Sequence, residues 1–165
     1  MSKPAKIILI IFCAFVGCIF ILLILMALAV PAMQKVNIKA HQTSVTQSLR
    51  VLNSAEGDYS STYPKHGFAC SLTALGGTPA SGAPTPEAAQ IIGDDLATGQ
   101  KAGYTFVISG CTKKTVDNHD QFLSYKIIAV PDSVGHSGNL GYCTDETQLI
   151  HYDPKGGTNC TELLQ

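Results

Sequence analysis

Hydrophobic positions fall into three patterns along the 165 residues, each with its own period. The first is continuous: Ile7 to Val30 is 24 residues without a charge. Wound as a helix it would be about 36 Å long, more than a hydrocarbon core of about 30 Å. It therefore predicts a transmembrane helix over 7–30 behind a short N-terminal segment, 1–6. The second pattern is a stripe. Val45, Leu49, Leu52, Ala55 and Tyr59 step by four, three, three and four, with polar residues opposite. That spacing predicts a helix with one narrow face on a core. No Gly or Pro interrupts 32–56. The helix is expected to fade near Gly57 and to be over by Pro64, because the residue before a proline is pushed out of the helical region. Between the two patterns stands Pro31. A proline inside a helix removes a hydrogen bond and bends the axis. Helical pattern on both sides predicts one long helix, from about 6 to 60, kinked at Pro31 and continuing amphipathically over 31–62.

The third pattern is alternation. Tyr104, Phe106 and Ile108 alternate with Thr105, Val107 and Ser109, and Phe122 to Val130 is a second run closed by Pro131. Leu140–Thr144 and Gln148–Tyr152 flank Asp145-Glu146-Thr147, a hairpin pattern. The segment HGFACSLTALGG reads as a loop with a short apolar run. Residues 76–86 read as an irregular loop rich in Gly and Pro. Pro86, followed by Glu87, Ala88 and Ala89, could open a short helical turn. The fold class is then α+β: a long N-terminal helix followed, over 63–165, by a small antiparallel sheet whose apolar face is covered by the Val45–Tyr59 stripe.

Charge and cysteine refine this. From Pro31 onward nine Lys+Arg stand against twelve Asp+Glu, a net −3 within a whole-chain −1. No basic excess points to nucleic acid. The 135 residues from Pro31 suffice for one small domain. Ala27-Leu28-Ala29 has the form of a signal-peptidase site, but the apolar stretch before it exceeds the usual length of about 7–15 residues. Phe15-Val16-Gly17-Cys18 loosely matches a lipobox, yet lacks its Leu and is followed by more apolar residues. An uncleaved anchor is the reading. Lys3 and Lys6 on one side and Lys35 and Lys39 on the other barely decide its orientation.

Cys13 and Cys18 sit in the apolar run, where ordinary packing accounts for them. Cys70, Cys111, Cys143 and Cys160 lie in the domain with no C-x-x-C and no zinc spacing. Four cysteines favour two disulfides, with three connectivities, and place the domain outside the cytoplasm. In one arrangement Cys143 and Cys160 bracket the hairpin and the PKGGTNC loop. Cys70 and Cys111 would then join the post-helix loop to the end of the first strand, each bridge contributing roughly 2–4 kcal/mol.

Candidate chemistry is sparse. Gly135-His136-Ser137-Gly138-Asn139 fails the G-x-S-x-G order and has no helix pattern after it, so a turn is expected. Asp117-Asn118-His119-Asp120 lacks the glycine and distal Glu of a calcium loop. Asp132, Asp145, Glu146 and Asp153 could converge on calcium, but no spacing requires it. Asp94-Asp95 reads as a helix start or turn, and His41, His66 and His151 are isolated. With no phosphate loop, triad or paired carboxylates, no catalytic residue, metal ligand or cofactor is assigned, and the expectation is not an enzyme.

Ala29-Val30-Pro31, the block SVTQSLRVLNSAEGDYSSTYPKHGFACSLTALGG (44–77) and LATGQKAGYTF (96–106) together resemble type IV pilins and the pseudopilins of type II secretion. The resemblance implies a proline-kinked N-terminal helix, half in the membrane and half on an antiparallel sheet. It also implies an inner-membrane subunit with a periplasmic domain, assembling through its helices. A cysteine-bounded C-terminal loop is common in that family, and Cys143–Cys160 matches it. The sequence departs at its start: aligned on Pro31, the family's processing glycine falls at Leu9 and its glutamate at Ala14. The expectation is a pilin-like, single-pass inner-membrane protein, N-terminus in the cytoplasm. Its role would be structural or in assembly of type IV pili or type II secretion, or it would be a relative that no longer polymerises. Its partners would be the lipid bilayer and other pilin-like subunits or machinery. The alternative is a membrane-tethered periplasmic module that binds a small ligand or a partner protein.

Overall fold

The structure, a computed structural model, describes residues 3–80 and 82–164; within the first helix, the side chains at 3–11, 13, 14 and 27–32 are not described. The chain divides into two compact units, Met1–Asn37 and Ile38–Gln165. Helix α1, Lys3–Thr62, runs through both.

In the first unit the expected transmembrane helix over 7–30 is corrected. Among the described residues no helix is long and apolar enough to cross a membrane. Within the expected span, the side chains described are Phe12 and the continuous apolar run Phe15–Met26, about 18 Å of helix against a core of about 30 Å. The ends of the expected span, 7–11 and 27–30, lie outside the described side chains, as does Pro31, so the expected kink there falls outside the description. The backbone at Pro31 is helical.

The second unit is built on the C-terminal part of α1 and a six-stranded antiparallel sheet in the order β1 to β6. The strands are β1 (Gln100–Lys101), β2 (Tyr104–Val116), β3 (His119–Pro131), β4 (Gly141–Asp145), β5 (His151–Asp153) and β6 (Glu162–Leu163). Every strand pairs with its sequence neighbours, so the sheet is a meander. The long β2–β3 hairpin runs from Tyr104 opposite Pro131 to Val116 opposite His119. It turns on Asp117 and Asn118, both at positive φ (49° and 62°). That pair matches the right-handed twist of a two-residue hairpin, which needs positive φ at both positions. The register slips between Ser109 and Thr112, where Gly110 takes φ 61°. β1 reaches only Tyr104 and Thr105, so the bulge falls on a part of β2 with no strand on its other side, where it blunts edge pairing.

The core lies between helix and sheet. Val45, Leu49, Leu52, Ala55 and Tyr59 are all buried, against Tyr104, Phe106, Tyr125, Ile127, Ala129 and Tyr142. The stripe works because steps of three and four return side chains to one helical face, while period-two alternation presents one sheet face to it. Strand β4 is buried at four of its five positions. Its Gly141 lies so close to the Gly157 carbonyl that a Cβ has no room.

Some local expectations give way. The apolar run after Cys70 forms helix α2 (Leu72–Gly76), because Ser71 caps it: its Oγ accepts from the Ala74 amide at 3.0 Å. Pro86–Ala89 does not form a helical turn. Thr85 and Ala88 instead exchange two backbone hydrogen bonds, at 3.1 and 3.0 Å. Asp94 and Asp95 open helix α3 (Asp94–Ala97), where acidic side chains suit the first turn. Helix α1 continues past Gly57 to Thr62, its last turn carried by Ser60, Ser61 and Thr62 hydroxyls that donate to backbone carbonyls one turn back.

Candidate functional site

Helix α1 carries two surfaces of opposite kind. In the first unit Phe12 and the whole run Phe15–Met26 are exposed. Twelve consecutive positions make more than three turns, so every side of this helix is apolar. Phe12, Phe15 and Phe20 are each 64 % exposed and Met26 is 70 % exposed. A helix apolar on all sides is stable only when something covers it, and contiguous apolar surface of this extent marks an interaction site. Cys18 is the free thiol among the described residues and lies on this exposed run. Met33 and Val36, beside Gln34 and Lys35, are also exposed.

In the second unit the same helix turns polar groups inward. Asn53 is buried; its Nδ2 donates to Thr144 Oγ1 at 2.8 Å, and its Oδ1 accepts from the Tyr125 hydroxyl at 3.2 Å. Those three side chains tie α1 to β3 and β4. Glu56, one turn on, is fully enclosed. Its Oε2 accepts from the Ala69 amide at 2.7 Å, and its Oε1 has no hydrogen-bond partner among the described residues. Burial pushes this carboxyl up from 4.5 to about 8, the Ala69 hydrogen bond only partly opposing it. The hydrophobic stripe alone does not single out Asn53 and Glu56. Their signal is spacing: Asn53 follows Leu49 by four and Glu56 follows Leu52 by four, which sets both on the inward face.

Two disulfides close the second unit: Cys70–Cys111 joins the loop before α2 to β2, and Cys143–Cys160 joins β4 to the segment before β6. Inside the second loop the buried Asp153 accepts from the Lys155 and Asn159 amides at 2.9 and 3.1 Å. Its carboxylate thereby organises the PKGGTN turn.

The other residues singled out in the sequence do not converge. Gly135–Gly138 is a turn, with the Ser137 hydroxyl donating to the Ser133 carbonyl at 3.1 Å. His41 Nδ1 lies 2.9 Å from the Ser137 carbonyl. Asp117–Asp120 is the β2–β3 turn and its flank, where Asp120 pairs with Lys113 at 2.7 Å. Asp132 accepts from the Thr105 hydroxyl, and Asp145 from the Thr147 amide and hydroxyl. Among the described residues no three His, Cys, Asp or Glu side chains gather closely enough to hold a metal. His66 lines a hollow of about 340 Å³ with Tyr59, Phe68, Phe122, Glu87 and Asp120. Two of its polar groups are already engaged: the Tyr59 hydroxyl donates to the Pro86 carbonyl at 2.8 Å, and Asp120 holds Lys113.

Comparison with protein-family models, with curated proteins and with solved structures finds no match.

Proposed function

We propose that the chain is a pilin-like structural subunit, whose apolar helical segment packs against the same segment of further copies. The observation behind this reading is the exposed run Phe12 and Phe15–Met26, apolar on every side. A groove-binding helix needs one apolar stripe; a helix apolar all round calls for neighbours on several sides, as a bundle of identical helices supplies. The run carries no charge for a polar partner to complement. The order of elements supports the same reading: a helix whose later part covers an antiparallel meander, with a C-terminal loop closed by Cys143–Cys160. Two disulfides favour an oxidising compartment outside the cytoplasm for the second unit. A ligand-binding module would need an uncommitted set of polar groups around a pocket, and the hollow beside Tyr59 has its hydroxyl and the Asp120 carboxylate already engaged.

The test uses Cys18. In the full chain carrying Cys13→Ser, purified in mild detergent, Cys18 is the one free thiol per chain, so a short thiol-specific cross-linker is expected to give a covalent dimer. Cross-linking that stays at the monomer, at concentrations where the helix is saturated with neighbours or detergent alike, would remove this reading.

A further inference from the structure

We propose that the Glu56 carboxyl is a protonation-controlled latch, which holds the loop carrying Ala69 and Cys70 onto α1 while it keeps its proton and releases that loop once ionised. The geometry has three parts. First, the carboxyl is fully enclosed, and among the described residues its only hydrogen-bond partner is the Ala69 amide, across the helix–loop boundary. Second, among the described residues nothing positive offsets a charge there. The titratable groups around it are phenols, Tyr59 on the same helix and Tyr125 on β3, and the carboxylates Asp145 and Glu146 also act on Tyr125. Among the described residues, no lysine, arginine or histidine acts on Glu56 itself. An ionised carboxylate in that setting is strongly disfavoured, and the simplest relief is to open the contact to water. Third, the loop has other anchors that do not depend on Glu56. Phe68 donates to the Phe122 carbonyl and Phe122 to the His66 carbonyl, each at 2.9 Å, and Cys70 is bonded to Cys111. Losing the Glu56 contact therefore frees the loop from the helix while leaving it on the β2–β3 hairpin.

The sign follows from the raised folded value. Between its ordinary 4.5 and about 8 the folded carboxyl keeps a proton that the opened form gives up. The closed state is fully favoured below 4.5, loses ground as pH rises through that window, and gains no further pH dependence above about 8.

The test is hydrogen exchange of the Ala69 amide in the full chain, expressed as a protection factor so that intrinsic base catalysis cancels. Opening at Ala69 is expected to rise by up to about tenfold per pH unit between pH 6 and 8, while core amides in β3 stay flat. In Glu56→Gln that slope is expected to vanish. A flat wild-type profile, or the same slope in Glu56→Gln, overturns the latch. Should Glu56→Gln not fold, the side-chain carboxyl carbon of Glu56 is followed by NMR in the wild type. A midpoint far above 4.5 that coincides with the Ala69 opening supports the latch, and a midpoint near 4.5 overturns it.

Discussion

Leu49 and Leu52 have no exposed surface, and each is enclosed by the sheet opposite. Leu49→Ala or Leu52→Ala removes buried methyl groups and leaves a cavity, at a cost of about 2–5 kcal/mol. Chemical denaturation should show it as a lower midpoint with an unchanged slope. Asn53 differs in kind. Asn53→Leu is close in size, yet it strands the Thr144 and Tyr125 hydroxyls inside the core. About 1–3 kcal/mol per unsatisfied group is the expected loss, read in the same experiment; a neutral result would mean that neither hydroxyl depends on Asn53. The titration of Glu56 gives stability a slope of at most about 1.4 kcal/mol per pH unit, falling as pH rises from 4.5 to about 8. Asp95 and Asp120 run the other way. Paired with Lys101 and Lys113, their carboxyls sit below the usual range, so their contribution is lost as pH falls through their lowered values. At this scale the sequence is legible where one property decides. The stripe from Val45 to Tyr59 is apolar at helical steps, and its five side chains are buried. Asn53 and Glu56 are polar, so apolar periodicity passes over them although their spacing is equally helical.

At the scale of elements, α1, the meander and the two bridges set the second unit. The Cys143–Cys160 bridge spans 17 residues and Cys70–Cys111 spans 41. Replacing either pair by serine is expected to cost about 3–4 kcal/mol in the chain-entropy account, the longer loop slightly more. Thermal unfolding with and without reductant checks this; equal midpoints would mean that the loops are held without their bridges. Strand positions were readable from alternation, as at Tyr104, Phe106 and Ile108, but strand lengths were not. β2 and β3 extend into exposed sequence, Lys113 and Lys114 opposite Phe122 and Gln121, where pairing rather than burial defines the strand. The turn at Asp117 and Asn118 was hidden for the same reason: no glycine announces it, and Asp and Asn reach positive φ through their short polar side chains. Helix α2 depends on one capping serine, a signal too local for periodicity to find.

At the scale of the whole molecule, the apolar run was legible as a helix but not in what covers it. Uninterrupted apolar residues predict a membrane span when counted over 7–30. Among the described residues no helix is long and apolar enough to cross a membrane, and the exposed surface of Phe15–Met26 fits other helices as well as it would fit lipid. Composition cannot separate these cases, since both demand apolar surface on every side. What separates them is stoichiometry. Leu22→Asp would set a charge among apolar neighbours, and it should abolish association while leaving the second unit's near-UV circular dichroism unchanged.

The most direct measurement is therefore sedimentation of the full chain in mild detergent over a hundredfold concentration range, beside Leu22→Asp. The expected result is mass that rises with concentration to dimers and beyond, and a monomer for Leu22→Asp. A wild-type chain that stays monomeric throughout, with its apolar segment covered by detergent alone, would contradict it.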